Sequence, residues 1–242
     1  MNLIAGKRIA DEDIYLNENR ALKPKEVFRF GIGLLGDAFA GRPIRICDVG
    51  CATGDFLIYM KSRFPGASLT GMDVSPSLLQ AARAALPDAT FVQGSVTDSG
   101  CLPASAYDVI TMYGVLSILD DPEPALENLV NSVAPGGRIL ISSNFNEDPI
   151  DVIVRYRRAQ TADAPWEIGW NIHSKVWVER ILSGIAAVEH VLWHDFRMPF
   201  ALPKGPDPMR AWTEPARGNP YYQVNGASLL LDRKVLEIRR RA

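Results

Sequence analysis

The segment over residues 44–57, IRICDVGCATGDFL, constrains the fold of this chain more than any other part of the sequence. A short β-prone run ends near Asp48, passes a turn bounded by Gly50 and Gly54, and continues into helix-compatible residues. This order predicts a strand, a small-residue loop and a helix, with the loop at the carboxyl edge of a parallel sheet, where open α/β sheets bind their ligands. The two glycines let the main chain bend tightly and approach a ligand without an intervening side chain.

The loop departs from two well-known phosphate-binding patterns. Ala52 and Asp55 stand where the dinucleotide fingerprint has its second and third glycines, and Asp55 places a negative charge where a pyrophosphate would meet helix N–H groups. The Gly-Lys-Ser/Thr ending of a P-loop is also absent. The missing glycines disfavour the alternative of a nicotinamide-dependent oxidoreductase.

The loop resembles the first motif of the class I S-adenosylmethionine-dependent methyltransferases, an acid-x-Gly-x-Gly-x-Gly sequence. Here it reads DVGCATG over residues 48–54, with Ala52 in place of the middle glycine. The resemblance implies S-adenosylmethionine as the cofactor and S-adenosylhomocysteine as its product. It also implies that the cofactor contacts the loop at Asp48, Gly50, Cys51, Thr53 and Gly54.

Three further strand ends match the same family, so that the resemblance covers roughly residues 40–143. A strand over residues 67–73 ends at Asp73, whose carboxylate is suited to accept hydrogen bonds from both ribose hydroxyls of a nucleoside. In the family, the loop after the third strand lies beside the adenine, and the end of the fourth strand flanks the methionine part of the cofactor. The resemblance therefore adds the following cofactor-contact candidates: Val74, Ser95, Val96 and Tyr113.

These matches predict an α/β fold: a Rossmann-like three-layer sandwich whose mostly parallel, seven-stranded sheet has an antiparallel last strand, with insertions on the substrate side. At 242 residues and 47% hydrophobic residues, the chain can bury one full core. We expect a single methyltransferase domain over residues 1–242, divided into a helical leader (1–40), a cofactor-binding half (41–143) and a substrate-side half (144–242). Helices are predicted from Pro24 toward Phe39 and over residues 54–63, 125–134 and 175–183.

Substrate specificity is expected from two long insertions, at about residues 144–172 and 196–226. Both leave the sheet at its carboxyl edge and can lie over the methyl donor. Their candidate substrate-binding residues are Trp166, Trp170, Arg210, Trp212 and Tyr221. Alternatively, these aromatics only pack the two loops together. Arg210 and Arg158 would either meet a phosphate or carboxylate of the acceptor or pair with neighbouring acids.

Methylation of a hydroxyl oxygen needs a general base, and histidine is the usual choice. The chain contains three histidines, of which His190 lies within a strand pattern and has a structural role as its simplest interpretation. His173 precedes a helix whose first turn Ser174 is placed to cap, and His194 ends the sixth strand. We therefore predict His173 and His194 as candidate catalytic residues. Both are bystanders if the acceptor is a carbon acid or an amine.

The leader and the last insertion carry further interpretations. Tyr15 and Arg20 are candidate contacts to the cofactor carboxylate, or else parts of an ordinary surface segment. Residues 208–213 and 224–226 resemble methyltransferases of surface-polysaccharide and small-metabolite pathways, which favours O-methylation of a hydroxyl on a sugar or similar polar metabolite. The alternatives are an N- or C-methyltransferase of a natural product or amino-acid-like metabolite, and a catalytically silent cofactor-binding interaction protein.

Composition limits the partners. A net charge of −2 and a pI near 6.0 give no broad electrostatic footprint for nucleic acid or an anionic membrane. No apolar run reaches membrane-spanning length, and the first twenty residues lack the pattern of a signal peptide. Cys47, Cys51 and Cys101 match no zinc spacing and fit a reducing compartment. We thus predict a cytoplasmic monomer or homodimer that acts on a small molecule and has no metal site.

Overall fold

The structure, a computed structural model, describes residues 9–17, 20, 22–36, 38–39 and 41–242, with side chains from residue 12 onward. The helices of this part of the chain are α1 (Ile9–Asn17), α2 (Glu26–Leu35), α3 (Asp55–Arg63), α4 (Pro76–Ala85), α5 (Glu123–Ser132) and α6 (Lys175–Ser183), with a 3-10 turn at Leu116–Ile118. Its strands are β1 (Arg45–Val49), β2 (Ser68–Asp73), β3 (Thr90–Gln93), β4 (Tyr107–Tyr113), β5 (Val133–Asn146), β6 (Arg155–Tyr156), β7 (Glu167–Ile168), β8 (His173–Ser174), β9 (Val188–Asp195), β10 (Trp212–Ala216), β11 (Asn219–Val224), β12 (Leu230–Leu231) and β13 (Arg233–Arg240).

The central sheet has the strand order β3-β2-β1-β4-β5-β13-β9, and the short β8 pairs with β5 beside this path. The pairs from β3 to β5 are parallel, whereas β13 runs antiparallel to both β5 and β9. The strand order reverses between β1 and β4, so a crevice opens there at the carboxyl ends of the strands. This topology confirms the predicted seven-stranded, mostly parallel sheet with its antiparallel last strand.

Helices cover both faces of the sheet. One hydrophobic cluster joins the apolar faces of α2, α3 and α4 to the sheet, and a second joins those of α5 and α6 to the opposite face. Because β1 lies at the centre of the sheet, its Ile46 and Cys47 are fully buried on opposite faces. The result is the three-layer sandwich that the sequence predicts. No helix in the described residues is both long and apolar enough to cross a membrane.

Helix starts follow local chemistry in the sequence. The N–H of Leu78 donates to the Ser75 hydroxyl at the start of α4, where Pro76 occupies the first helical position. The Ser174 hydroxyl caps α6 in the same way, through the N–H of Trp177. The helix predicted from residue 24 toward residue 39 is shorter than expected. α2 begins at residue 26 and ends at Leu35, because the next residue, Gly36, has a φ of +53° that the helix cannot continue.

The two insertions contain more strand than the sequence indicates. β6 pairs with β7 inside the first insertion, and β10 pairs with β11 and β11 with β12 around the end of the second. Arg217 and Gly218, with φ of +48° and +75°, form the two-residue turn of the β10–β11 hairpin. Positive φ at both positions is typical of a type I′ turn, but Arg-Gly is a weaker sequence signal than Asn-Gly. For residues 227–239 the sequence pattern predicts either a hairpin-like strand pair or one bent strand, and the structure has two strands there, β12 and β13.

Candidate cofactor and acceptor site

A cavity of about 660 Å³ opens at the carboxyl edge of the sheet, where the strand order reverses. The loops after β1, β3 and β4 and the end of β2 line it, together with residues of α1, of the segment before α2 and of the substrate-side half. The volume lies within the range of small-molecule and cofactor sites. A second cavity, of about 720 Å³, lies between α2 and α3 and contains none of the motif residues.

The loop after β1 holds three left-handed residues at every second position. Gly50, Ala52 and Gly54 have φ of +73°, +47° and +82°. A Cβ on Gly50 would come within 2.2 Å of Val115 Cγ2, so this position requires glycine for space as well as for conformation. Ala52 thus has a left-handed conformation, which the glycine at this position of the family motif would adopt without strain. Its N–H donates to Asp73 Oδ2 at 2.9 Å, which helps to hold the strained residue in place.

Asp73 ends β2 and connects two loops of the cavity. Its Oδ2 accepts the N–H of Ala52, and its Oδ1 accepts the N–H of Ser75, both at 2.9 Å. A carboxylate offers about four lone-pair sites, so each oxygen retains capacity for a further donor. The arrangement therefore fits a ribose diol, and the ribose role stays a prediction.

Asp48 is buried beneath the loop and lines the inner end of the cavity. The Thr111 hydroxyl donates to its Oδ1 at 2.6 Å across the β1–β4 pair. Burial raises the pKa of Asp48 to about 7; the Thr111 hydrogen bond opposes this rise and the nearby charge of Asp73 adds to it. A cationic ligand in the cavity would favour the ionised carboxylate. Thr111 is a supporting residue that the sequence interpretation missed, because its contact depends on strand register.

The other predicted cofactor residues also line the cavity, in different ways, except Gly54, which packs toward Ala82 of α4. Val74 is half exposed, as a wall for a planar base would be, whereas the side chain of Val96 packs into the core. The Ser95 hydroxyl lies 2.7 Å from that of Thr97 and accepts the N–H of the same residue, so it stabilises its own loop. Any adenine contact of residues 95 and 96 is therefore expected from the main chain.

Tyr113 forms an apolar wall of the cavity. Its ring packs against Phe56 and Phe28, with centroid distances of 4.9 and 6.0 Å. Its hydroxyl is buried without a hydrogen-bond partner and would lie 1.8 Å from a Cβ on Gly31 of α2. Burial raises the pKa of Tyr113 well above its ordinary value, and the charge of Asp48 adds to the rise. The Tyr113 hydroxyl thus lies under α2, and we expect no polar contact from it to a ligand.

Neither candidate catalytic histidine lines the cavity, which corrects the sequence prediction. His173 is fully buried because β8 pairs with β5; its Nε2 lies 3.1 Å from the carbonyl oxygen of Leu116, and its ring contacts Trp177 edge-on. Burial lowers the pKa of His173, so the neutral imidazole is favoured. His194 lies on β9, at the far side of β13 from the crevice, with Nε2 3.0 Å from Glu237 Oε2. Both side chains stabilise the sheet and its helix layer.

The structure divides the substrate candidates. Trp170 and Arg210 line the cavity, whereas Trp166, Trp212 and Tyr221 do not. Trp212 donates to Glu214 at 2.7 Å, and the side chain of Trp166 is exposed beside Arg157. The β10–β11 hairpin carries residues 212 and 221 away from the crevice, and residue 166 precedes β7 in the first insertion, so three of the five candidates do not line the cavity.

Several lining residues are not among the residues predicted from the sequence, and they come from distant parts of the chain. Arg158 pairs with Glu167 and Asp207, so the acid-pairing alternative holds for this residue. Instead the first residue of β13, Arg233, reaches the cavity. Since β13 inserts between β5 and β9 only in the folded sheet, no local sequence signal identifies Arg233.

The helix α1 forms a roof over the cavity. Tyr15 and Arg20 line it, as the prediction of contacts from the leader requires, although their role stays a prediction. The Tyr15 ring lies between two cations, Lys25 at 5.1 Å and Arg210 at 5.6 Å from its centroid. The Ser75 hydroxyl donates to Glu12 at 3.1 Å and ties α1 to the start of α4.

Comparison with known proteins agrees with this geometry. Residues 47–139 match the family model described as a methyltransferase domain. Over 122 residues the chain is 34% identical to a trans-aconitate 2-methyltransferase of Paracidovorax citrulli, which covers 50% of this chain and 46% of that protein. A trans-aconitate 2-methyltransferase of Rhizobium meliloti is 29% identical over 154 residues, covering 61% and 58%. The matches to these curated relatives thus span about half of their length.

A solved structure extends the likeness in fold to nearly the whole chain. The crystal structure of a TehB-like SAM-dependent methyltransferase from Corynebacterium glutamicum covers 97% of this chain and all of its own, with a TM-score of 0.56 and 20% identity. The methyltransferase-domain match over residues 47–139, the sheet order and the matched strand-end loops confirm the resemblance to the class I S-adenosylmethionine-dependent methyltransferase family. S-adenosylmethionine, the predicted cofactor, is the cofactor of that family.

Proposed function

We propose that the protein transfers a methyl group from S-adenosylmethionine to a carboxylate oxygen of a small, multiply charged organic acid. The observation that carries this proposal is the charge distribution in the cavity. The side that holds the family motifs contributes Asp48, Asp55 and Asp73, whereas the substrate-side half contributes Arg210 and Arg233. An acceptor surface with this charge favours an anion over a neutral sugar. The names of the trans-aconitate 2-methyltransferases point to the same class of acceptor.

The residues lining the cavity also favour a carboxylate over the hydroxyl acceptor that the sequence suggested. A hydroxyl must lose its proton to become a good nucleophile, whereas a carboxylate is already ionised at neutral pH. None of the described lining residues is a histidine, and the two candidate bases lie outside the cavity. Asp48, the lining acid with a pKa near 7, is buried under the loop with its carboxylate bound by Thr111. A carboxylate acceptor requires no base.

The chain contributes binding and orientation to such a reaction. When bound, S-adenosylmethionine supplies an activated methyl group, so that an O–CH₃ bond forms as the S–CH₃ bond breaks, the electron pair returns to sulfur, and no proton moves. Asp73 would accept the ribose hydroxyls, and Asp48 would favour the cationic end of the cofactor. Trp170 and the roof formed by α1 restrict the access of water to the cavity. Positioning of the acceptor oxygen then supplies much of the rate enhancement.

The described residues also support the proposal that the chain acts as one domain. The sheet contains strands of both predicted halves, because β13 and β9 of the substrate-side half extend the edge that begins with β5. The cavity likewise takes lining residues from the leader, the cofactor-binding half and the substrate-side half. Neither half would complete the site alone.

The test is a transfer assay with methyl-tritiated S-adenosylmethionine and a panel of acceptors. The panel contains trans-aconitate, other di- and tricarboxylates, monocarboxylates, free and phosphorylated sugars, and amino acids. We expect transfer to multiply charged carboxylates, and we expect mild alkali to release the label as volatile methanol. Methyl esters hydrolyse in this way, whereas methyl ethers, methylamines and C-methyl groups do not.

Three results would contradict the proposal. Alkali-stable label on a sugar would restore the hydroxyl acceptor, and alkali-stable label on an amine or carbon would support the N- or C-methyltransferase alternative. Tight cofactor binding without transfer to any acceptor of the panel would favour the catalytically silent protein. Calorimetry with S-adenosylhomocysteine separates this last case from a misfolded preparation.

A further inference from the structure

We propose that Arg233 determines acceptor specificity by binding a carboxylate of the acceptor that is not methylated, so that the enzyme requires at least two anionic groups on its substrate. This inference rests on the proposed function and adds to it the residue that recognises the acceptor. It concerns the wall of the cavity formed by the start of β13, which none of the family motifs includes.

Arg233 is partly buried at the cavity wall, and part of its guanidinium is buried without a partner among the residues that the structure describes. Its Nε has no hydrogen-bond partner, and no described carboxylate forms an ion pair with it. Burial lowers the pKa of Arg233, and only Tyr15 opposes this effect. Arginine nevertheless keeps its proton in proteins, so the side chain stays a cation in a poorly solvated place. A partly desolvated cation with an unpaired buried N–H carries an energetic cost, and an anionic ligand in the cavity would reduce that cost.

The cations near Arg233, unlike Arg233 itself, have carboxylate partners. Lys234, the next residue along β13, lies within 3.2 Å of three carboxylates, those of Asp195, Glu147 and Asp232. Arg197 also pairs with Asp232, at 2.7 Å. Successive side chains of a strand point to opposite faces, so Lys234 faces its acids while Arg233 faces the cavity. The protein therefore neutralises the described cations around Arg233 and leaves this one for a ligand.

A second unsatisfied polar group lies beside Arg233. Asn144 of β5 is its antiparallel partner, and partners in an antiparallel pair have side chains on the same face. Asn144 is 1% exposed, and its Oδ1 has no hydrogen-bond partner. The pair therefore places a cation and an unsatisfied amide side by side on one face of the sheet, with Arg233 as the member that reaches the cavity.

The position of Arg233 in the sheet assigns it to the acceptor. β13 lies two strands from β4 and three strands from β1. With a spacing of about 4.8 Å between strands, the backbone of Arg233 lies roughly 14 Å from the loop after β1 that carries the cofactor motif. Arg210, which also lines the cavity, brings a second cation from the substrate-side half. The leader residues Arg20 and Lys25 are at hand for the carboxylate of the cofactor itself.

The first experiment compares trans-aconitate with crotonate, which keeps the double bond and only one carboxylate, in the wild type and in Arg233→Gln. We expect the wild type to prefer trans-aconitate by about 10- to 100-fold or more in kcat/KM, the range of a charge-assisted contact. In Arg233→Gln this preference should collapse through a raised KM for trans-aconitate, while the KM for crotonate, which has no second carboxylate to lose a contact, changes much less. Arg233→Lys should restore part of the preference. The matched control is Arg197→Gln, which removes an arginine that does not line the cavity.

A binding measurement keeps the inference testable without catalysis. Calorimetry with S-adenosylhomocysteine-loaded protein should show trans-aconitate binding that weakens by about 10-fold or more in Arg233→Gln, while the Kd of S-adenosylhomocysteine changes less than about two-fold. A loss of cofactor affinity with unchanged acceptor binding would overturn the inference, because Arg233 would then hold the cofactor. Absence of tricarboxylate binding to the wild type, or equal binding to both proteins, would also overturn it. Binding that depends on Arg233 without any methyl transfer would support the anion site and contradict the proposed function.

Discussion

Replacement of Asp48 by asparagine should make the protein's stability less dependent on pH. The carboxyl group is buried and bound by Thr111, and its pKa in the folded protein is about 7, against an ordinary value of 3.8. A raised folded-state pKa means that the neutral form is favoured in the fold. Its stabilising contribution is therefore complete below pH 4 and is lost as the pH rises through about 7.

The magnitude follows from the size of the pKa shift. A shift of about 3 units corresponds to roughly 4 kcal/mol between the two limits of pH. Asparagine has nearly the same shape, can accept the Thr111 hydrogen bond through its amide oxygen, and carries no charge at any pH. The free energy of unfolding of Asp48→Asn minus that of the wild type should therefore rise by about 3 kcal/mol between pH 5 and pH 8.

The assay is urea denaturation of the cofactor-free protein at pH 5, 6, 7 and 8. Subtracting the wild type at each pH cancels the titration of all other groups. Asp88→Asn is the matched control: Asp88 is fully exposed, and its hydrogen bond with Lys61 lowers its pKa, so its effect on stability lies below this pH window. A difference between Asp48→Asn and the wild type that is flat from pH 5 to pH 8 would refute the assigned environment of Asp48.

The remaining predictions concern the cavity wall and the loop after β1. Asp73→Ala should weaken S-adenosylmethionine binding by roughly ten-fold or more in calorimetry, because the ribose hydroxyls lose their acceptor; an unchanged Kd would show the ribose role to be wrong. Gly31→Ala should destabilise the fold by about 1–3 kcal/mol through its 1.8 Å contact with the Tyr113 hydroxyl, and Tyr113→Phe should rescue it; failure of the rescue in thermal unfolding would exclude this clash as the cause. His173→Gln should lower the Tm while leaving kcat within about three-fold in the protein that remains folded, since the imidazole lies outside the cavity; a loss of activity with a changed pH–rate profile would restore its catalytic role.

The cofactor half of the site could be predicted from the sequence because its signals are local. A strand-loop-helix unit needs glycine or a small residue at positions of positive φ, and it needs an acid at the end of the following strand. Gly50, Gly54 and Asp73 therefore stand at recognisable distances along the chain, and the structure places Gly50 and Asp73 at one cavity, with Gly54 in the loop between them. The alternating hydrophobic and helix-start patterns likewise predicted α3 and α6 closely.

The acceptor half depends on tertiary structure. The chemistry of a histidine suggested a base, but the pairing of β8 with β5 buries His173 beneath Leu116, away from the cavity. The aromatic content of the second insertion suggested a pocket, but a hairpin with an atypical Arg-Gly turn removes Trp212 from the site. In both cases, the residue type indicated a chemistry but did not indicate where the side chain lies in the fold.

The sequence by itself thus determined the fold class, the cofactor loop and its acids, since these depend on residues that are close along the chain and on backbone conformations that few residue types adopt. Only the tertiary structure decided which cations face the acceptor. Arg233 reaches the cavity because β13 inserts antiparallel between β5 and β9, a pairing between segments about ninety residues and about forty residues apart in the chain. Non-local strand pairing follows the burial of whole faces, and no short motif encodes it.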